Sequence, residues 1–147
     1  MMKQCALLYF RKGKMFVRTM SNGPGAYVGI GDPSVLKQAV LSTEIGRAVF
    51  ESLSRSISTN DVLLPEDLSE IAIPTFRAAC VKNWSEFVRG CKAIDVKRNG
   101  DQIELCLLKR EGTNFGLGPE PEVLENPSAE ELGAAIKTLF RIKSERQ

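Results

Sequence analysis

The stretch STEIGRAVFESL, residues 42–53, and the stretch AEELGAAIKTLF, residues 129–140, share one pattern at a separation of 87 positions. Apolar or small residues recur in each at intervals of three and four, which places them on one face of an α-helix. Two helices with the same sequence pattern predict a chain that consists of two related units. The helical faces contain Ile45, Ala48, Val49, Ser52 and Leu53 in the first stretch, and Leu132, Ala135, Ile136, Leu139 and Phe140 in the second.

The same shift of 87 positions pairs ten of the twelve glycines without a gap. Glycine marks backbone positions at which a side chain is excluded, so segments that share such positions are expected to share a backbone path. Nine positions match between residues 6 and 57, Ala6 with Ala93 among them, where average composition gives about three by chance. The paired glycines are Gly13 with Gly100, Gly25 with Gly112, Gly29 with Gly116, Gly31 with Gly118, and Gly46 with Gly133.

Each unit begins with short apolar runs separated by a turn that contains glycine, a pattern typical of β-hairpins. The turns are Lys12-Gly13 and Asn99-Gly100, and Asn-Gly is a strong hairpin signal because both residues tolerate positive φ angles. A short third strand follows in each unit. The predicted strands are residues 5–10, 15–20 and 28–31 in the first unit, and residues 93–97, 103–108 and 115–118 in the second.

Both helices carry start signals. Ser128 and Glu131 have the spacing of a capping box, and Ser42 or Thr43 is expected to cap the first helix. Gly46 and Gly133 lie in the first turns, where glycine costs about 1 kcal/mol relative to alanine. We expect a close approach of each helix to the sheet, or to the other helix, to offset that cost.

These patterns predict an α+β fold with two pseudo-repeated β-β-β-α units, at about residues 5–57 and 92–144, in a single domain spanning residues 1–147. A helical connector at residues 58–91 joins the units, with one or two short helices in its second half. The single tryptophan, Trp84, is expected to anchor this connector in the core, and an interface anchor is the alternative. Whether the strands form one sheet or two is left open.

The composition restricts the chemistry. The 147 residues are 43% hydrophobic and include no histidine, which excludes Ser-His-Asp and Cys-His catalysis and most zinc sites. The cysteines form no C-x-x-C pair and are expected to remain reduced, three of them as small buried side chains. They are Cys5, Cys91 and Cys106, which lie in apolar runs, and Cys80.

No run reaches the roughly 18 apolar residues that a membrane helix needs. Arg11, Lys12 and Lys14 interrupt the first apolar run, so it does not have the core of a signal peptide. We therefore expect a soluble cytoplasmic protein without a membrane partner.

The glycine pairs at residues 29–31 and 116–118 suggest a nucleotide site, but the third glycine of a dinucleotide fingerprint is missing and no helix follows directly. Carboxylate pairs such as Glu66-Asp67 and Glu130-Glu131 could act as acid and base in catalysis, but they lie in polar segments or at helix starts. A solvated side chain, or a favourable interaction with the helix dipole, is the simpler interpretation. We predict that the protein is not an enzyme and binds no cofactor and no metal.

The net charge is only +2, but it is distributed unevenly. Residues 58–73 carry four carboxylates and residues 111–136 carry six, without any basic residue in either segment. Such runs are usually solvated faces. Alternatively, two acidic surfaces mimic the field of a nucleic acid and bind a basic partner.

Several segments together resemble a known family. They are Gly29-Ile30-Gly31-Asp32-Pro33-Ser34 followed by Glu44-Ile45-Gly46-x-Ala48-Val49, then Trp84-Ser85-Glu86-Phe87-Val88-Arg89-Gly90, Gly116-Leu117-Gly118 and Glu131-Leu132-Gly133-x-Ala135-Ile136. In this order and spacing, from about residue 5 to residue 140, the chain resembles the immunity proteins of bacterial contact-dependent growth inhibition systems.

The resemblance implies a cytoplasmic binding protein. Its partner would be the toxic C-terminal domain of a large secreted effector, in many systems a nuclease and often one that cleaves tRNA. Neutralisation would occur by covering the active site, without direct binding of nucleic acid. Because each immunity protein pairs with its own toxin, the resemblance assigns no contact residues.

A nuclease surface is basic because it holds phosphates, so acidic residues are the predicted toxin contacts. We predict them to be Glu120, Glu122, Glu125, Asp61, Glu66 and Asp67. Three alternatives remain open: a nucleotide-binding module that uses the glycine loops, an RNA-binding module that uses the basic hairpins near residues 11–18 and 92–98, and a structural partner in another complex.

Overall fold

A computed structural model of the protein describes residues 4–23, 26–37, 40–56, 71–112, 114–116 and 118–142. This part of the chain contains helices and antiparallel strands, so the predicted α+β class is confirmed. In chain order the elements are β1 (Gln4–Arg11), β2 (Lys14–Gly23), β3 (Ala26–Lys37), α1 (Ser42–Ser54), α2 (Ile73–Ala79), α3 (Trp84–Val88), β4 (Lys92–Asn99), β5 (Gln102–Leu107), β6 (Lys109–Glu111), β7 (Asn114–Gly116), β8 (Glu122–Glu125) and α4 (Ala129–Phe140).

Six strands form one continuous antiparallel sheet in the order β3-β2-β1-β4-β5-β8, and β6 and β7 form a separate small hairpin. The first strands of the two predicted units, β1 and β4, pair at the centre, with Leu7 opposite Asp95. The order is therefore symmetric about the β1–β4 pair. The assignment of the unit boundaries at residues 5–57 and 92–144 stays a prediction.

Helices α1 and α4 cover one face of the sheet and form the main core with it. Ile45, Val49 and Leu53 of α1 are fully buried there. So are Leu132, Ile136 and Phe140 of α4, which confirms the predicted helical faces. The sheet contributes a matching apolar layer of Ala6, Leu8, Met15, Val17, Ile94, Val96, Ile103 and Leu105.

The two short connector helices cover part of the opposite face, as predicted for the second half of the connector. Tyr9 and Phe16 of the sheet pack there against Phe87 of α3, with ring centroids 4.9 and 5.9 Å away. Trp84 packs against this second core and meets Tyr9 edge to face. Trp84 is half-buried, so it contacts the core as predicted while part of its ring remains exposed, and the interface alternative stays open.

In the strands, the ungapped shift of 87 residues is wrong by one position. Ala6 belongs to the core under α1 and α4, whereas Ala93 belongs to the core on the other face. The hairpin loops are residues 12–13 and residues 100–101, a separation of 88. Side chains alternate between the two faces of a strand, so a slip of one residue exchanges the faces. The helices keep the shift of 87, as Ile45 and Leu132 show.

The two hairpins are confirmed, but their glycines occupy different loop positions. Lys12 and Gly13 have φ angles of 50° and 75°, the pattern of a type I′ turn. Asn99 is not in its loop, because it pairs with Gln102 as the last residue of β4. Gly100, with φ of 65°, comes first in the loop, as in a type II′ turn.

The predicted third strand of the second unit is present at residues 114–116, but it does not join the main sheet. Residues 114–116 form β7, which pairs with β6 in the separate hairpin, and β8 takes the expected position beside β5. Pro119 and Pro121 separate the two segments. Proline has no N–H to donate, so pairing with the sheet resumes only after Pro121.

The two helix starts differ. Ser128 and Glu131 form the predicted capping box: Glu131 N–H donates to Ser128 Oγ at 3.1 Å, and Ser128 N–H donates to Glu131 Oε1 at 2.8 Å. The prediction for α1 is wrong, because Ser42 is already a buried helical residue and Leu41 occupies the cap position. There the Leu41 N–H donates to the carboxylate of Glu44 at 3.4 Å.

The first-turn glycines mark the closest approach of the two helices. A Cβ atom built on Gly46 would lie 1.9 Å from the carbonyl oxygen of Ala129, and one built on Gly133 would lie 1.8 Å from that of Ser42. The contact is reciprocal, since Gly46 and Gly133 as well as Ser42 and Ala129 are separated by 87 residues. The expected approach of each helix to the other is confirmed.

The substitution Gly133→Ala tests this contact. Helix propensity alone would favour alanine by about 1 kcal/mol, but the clash with Ser42 forces the helices apart. We expect the free energy of unfolding to fall by about 2 kcal/mol in urea denaturation. As a control in the same helix, Ala134→Gly on the exposed face should cost about 1 kcal/mol. An increase in stability for Gly133→Ala would contradict the helix contact.

The capping box predicts a pH effect. Its hydrogen bond from the Ser128 backbone lowers the pKa of Glu131 below the ordinary value of 4.5. The carboxylate therefore stabilises the folded chain above that value, and this contribution is lost as the pH falls through the folded pKa. We expect Glu131→Gln to lose less stability than the wild type between about pH 5 and pH 3 in urea titrations. The exposed neighbour Glu130→Gln serves as the control, and equal pH profiles for wild type and Glu131→Gln would exclude the effect.

Candidate functional site

Three of the predicted contact residues lie together at the outer edge of the sheet. Glu122 and Glu125 are on the edge strand β8, and Glu120 precedes this strand by two residues. All three carboxylates are exposed. The other three predicted contacts, Asp61, Glu66 and Asp67, lie outside the described residues.

The fold adds two carboxylates that the sequence analysis did not include. Glu104 on β5 is exposed opposite Val123, and Asp101 lies in the loop that closes the β4–β5 hairpin. The Asp101 carbonyl accepts the Asn126 N–H at 2.7 Å, which ties this loop to the end of β8. Strand register places Glu104 on the same face of the sheet as Glu125, whereas Glu122 lies opposite Leu105 and belongs to the other face. This register is not evident from sequence spacing. We define the acidic edge as Asp101, Glu104, Glu120, Glu122 and Glu125.

No acidic-edge carboxylate forms an ion pair within the described part of the chain, although Lys97 on β4 lies opposite Glu104. The ion pairs found there are Arg55 with Glu51 at 2.9 Å and Lys97 with Asp95 at 3.7 Å, neither of which includes an acidic-edge residue. Glu125 instead accepts a hydrogen bond from the Gln102 amide at 2.6 Å. The carboxylates of Glu120, Glu122 and Glu125 are therefore exposed and have no ion-pair partner among the described residues.

The fold also gathers cations that appear dispersed in the sequence. At the end of the sheet formed by the β1–β2 turn, Phe10 lies opposite Lys92 and Lys14 lies opposite Lys37. Two clefts of about 400 and 300 Å³ open at this end, each lined by three cations. We define the basic end as Arg11, Lys12, Lys14, Lys37, Arg89, Lys92, Arg110 and Arg141.

Backbone carbonyls hold several of these cations in place. Arg11 donates to the Glu86 carbonyl at 3.3 Å, Lys92 to the Phe140 carbonyl at 2.9 Å, and Arg110 to the Val88 carbonyl at 2.8 Å. The RNA-binding alternative also included residues up to Arg98, and that grouping is wrong. Arg98 pairs with Gln4 at the opposite end of the sheet.

The glycine loop of the first unit does not have the geometry of a nucleotide site. Gly29 and Gly31 lie within β3, and α1 begins only at Ser42. The register between β2 and β3 is interrupted opposite Arg18, where Gly31 has a φ of 67°. This is a β-bulge, and it places no helix N-terminus beside the glycines.

The described residues contain no group of three His, Cys, Asp or Glu side chains placed to hold a metal ion. All four cysteines are free: Cys5 and Cys91 are buried, Cys106 is half-buried and Cys80 is exposed. Burial raises the pKa of the Cys91 thiol to about 12, although Arg11 and Arg110 act in the opposite direction. Cys91 is therefore not an activated nucleophile.

Thiol labelling tests this arrangement. With an aromatic disulfide reagent at about pH 8, we expect Cys80 to be the fastest-reacting thiol of the native protein, because it is exposed, whereas Cys5 and Cys91 are buried and Cys106 is half-buried. Cys80→Ser should abolish the fast phase, and Cys91→Ser should leave it unchanged. A fast phase that persists in Cys80→Ser would contradict this expectation, because it would come from the buried or half-buried thiols.

Two solved structures share the fold over nearly the whole chain. A protein of unknown function from Neisseria meningitidis matches with a TM-score of 0.78 and 16% identity, covering 97% of this chain and 96% of that one. A chain of the CdiA-CT/CdiI toxin and immunity complex from Yersinia pseudotuberculosis matches with a TM-score of 0.75 and 18% identity, covering 96% of this chain and 97% of that one.

No protein-family model and no curated protein sequence matches this chain. The chain therefore has the fold found in a contact-dependent growth inhibition toxin and immunity complex. In the described part of the chain, no helix has the length and apolar character needed to cross a bilayer.

Proposed function

We propose that the chain is a cytoplasmic immunity protein that binds and neutralises a cognate contact-dependent growth inhibition toxin. The observation that carries this proposal is the match to a chain of the Yersinia pseudotuberculosis toxin and immunity complex over 96% of this chain. The toxin is the C-terminal domain of a large secreted effector, and the chain itself catalyses no reaction. The ordered sequence motifs from Gly29 to Ile136 support the same assignment.

The proposed mechanism is occlusion of a nuclease, of which an RNase that cleaves tRNA is one kind. A nuclease surface must be basic to hold phosphates. Glu120, Glu122 and Glu125 present exposed carboxylates along one edge of this protein, without a cationic partner among the described residues. Binding through that edge places negative charge where the substrate's phosphates would otherwise lie.

Long-range attraction between the two surfaces would accelerate their encounter. Protection at low cellular concentrations requires a dissociation constant of about 1 nM, or about −12 kcal/mol. Exposed charges alone do not provide this affinity, because each is screened by salt and solvated by water. We therefore propose that the acidic edge increases the rate at which the two proteins associate and determines how they are oriented in the complex.

Charge reversal tests the acidic edge. In the triple variant Glu120→Lys, Glu122→Lys and Glu125→Lys, we expect association with the cognate toxin to slow at least about tenfold at low salt, and its dependence on salt to diminish. Association rates are measured by surface plasmon resonance at several ionic strengths.

The matched control is the triple variant Asp32→Lys, Glu51→Lys and Glu111→Lys, which reverses three exposed carboxylates elsewhere. It changes the net charge equally, so equal effects of the two variants would exclude a specific role for the acidic edge. A third variant that reverses Asp61, Glu66 and Asp67 tests the remaining predicted contacts separately.

The function itself is tested by growth. Cells that express the toxic domain encoded beside this gene should survive when they also produce this chain, and the purified proteins should form a complex. Unimpaired toxicity together with the absence of a complex would overturn the proposal.

The basic end supports a second candidate function, binding of RNA. It brings together eight cations, three of them held by neutral carbonyl groups that leave their charge uncompensated. Fluorescence anisotropy with labelled tRNA would detect steeply salt-dependent binding. Loss of that binding in Lys12→Glu with Arg89→Glu would assign it to the basic end.

A further inference from the structure

Arg18 is a buried cation with few partners. It lies on β2, on the face of the sheet covered by α2 and α3, and is only 6% exposed. Its Nη1 donates to the Thr75 hydroxyl at 3.0 Å. Its Nε is buried and makes no hydrogen bond, and no carboxylate forms an ion pair with this side chain among the described residues.

Such a group is costly to bury. A guanidinium carries five N–H donors, and an uncompensated charge in a protein interior is strongly unfavourable. Burial lowers the pKa of Arg18, with Tyr9 and Asp32 acting in the opposite direction. A polar ligand that accepts hydrogen bonds from this side chain would therefore stabilise the folded protein.

A cavity of about 120 Å³ adjoins the guanidinium. Since a water molecule occupies about 30 Å³ in the liquid, the space suits a small organic group. Gly29, which also lines the cavity, leaves room for the guanidinium itself, because a Cβ atom there would lie 2.7 Å from Arg18 Nε. Tyr9, Phe76 and Trp84 contribute aromatic walls, and Met20, Ile71, Ala72 and Thr75 complete the lining.

We propose that this cavity is a binding site for a carboxylate on a short apolar stem. The guanidinium of Arg18 supplies the paired donors that match the two carboxylate oxygens. Burial raises the pKa of the Tyr9 phenol, so the phenol remains a neutral donor. The aromatic walls pack against the stem. A small organic acid and an aspartate or glutamate side chain of a bound partner share this chemistry.

Propionate and its uncharged analogue propionamide are the probes, at constant ionic strength. NMR of the Arg18 Nε–H group in the full chain reports binding directly. We expect a saturable shift of this resonance with propionate, with a dissociation constant of about 1 mM, and no saturable shift with propionamide. Absence of a saturable shift with propionate, or equal shifts with both probes, would overturn the proposal.

Two variants locate the site. Ala72→Leu fills the cavity while it retains the guanidinium, and we expect it to weaken propionate binding at least about tenfold. Arg18→Met should abolish binding, and Arg98→Met, on the opposite face, should leave binding unchanged. If Arg18→Met does not fold, Ala72→Leu decides the question, because undiminished binding in that variant would exclude the cavity.

An experiment with the cognate toxin distinguishes a free organic acid from a side chain of a bound partner as the source of the carboxylate. Only this experiment depends on the proposed function. If the toxin shifts the Arg18 resonance and propionate competes with it, the carboxylate belongs to a toxin side chain. If propionate binds but the toxin neither shifts the resonance nor competes, the site accepts a free acid. Failure of the toxin to bind at all would contradict the proposed function and leave the propionate result intact.

Discussion

The close contact between α1 and α4 organises the molecule. Gly46 lies against the Ala129 carbonyl and Gly133 against the Ser42 carbonyl, so each helix starts where the other makes its first turn. Any side chain at either glycine would separate the helices and open the core beneath them. The helices in turn cover the sheet on both sides of its central pair, so this contact holds the two halves of the fold together.

The symmetric scaffold leads to asymmetric surfaces. The two flanks of the sheet differ most at their outer strands, where the long β3 ends one flank and the short, glutamate-rich β8 ends the other. The acidic edge arises at β8, while the turn between β1 and β2 carries cations. Opposite charges thus occupy separate regions of a chain whose net charge is only +2. This separation orients an approaching charged partner even though the total charge is small.

Much of the fold was predictable from periodic apolar residues and turn glycines. In each helix the apolar residues fall on a single face, and the turn glycines Gly13 and Gly100 indicate the two hairpins. The register was not predictable, because glycine occupies the second loop position in one turn and the first in the other. Alignment on these glycines therefore shifts every strand residue to the wrong face. The grouping of Glu104 with Glu125, and the position of Arg11 and Lys92 at one end of the sheet, depend on strand pairing, which spacing along the sequence does not reveal.

The pairing of β1 with β4 has a consequence for biosynthesis. Gln4 pairs with Arg98, so the central ladder joins the start of the chain to a segment made late by the ribosome. Until then β1 has an unpaired edge, and α1 has no partner helix. Contacts between residues so far apart in the sequence slow folding. They also leave the first half of the chain exposed to aggregation until the second half is available. A chain truncated before β4 would lack both the central ladder and the acidic edge.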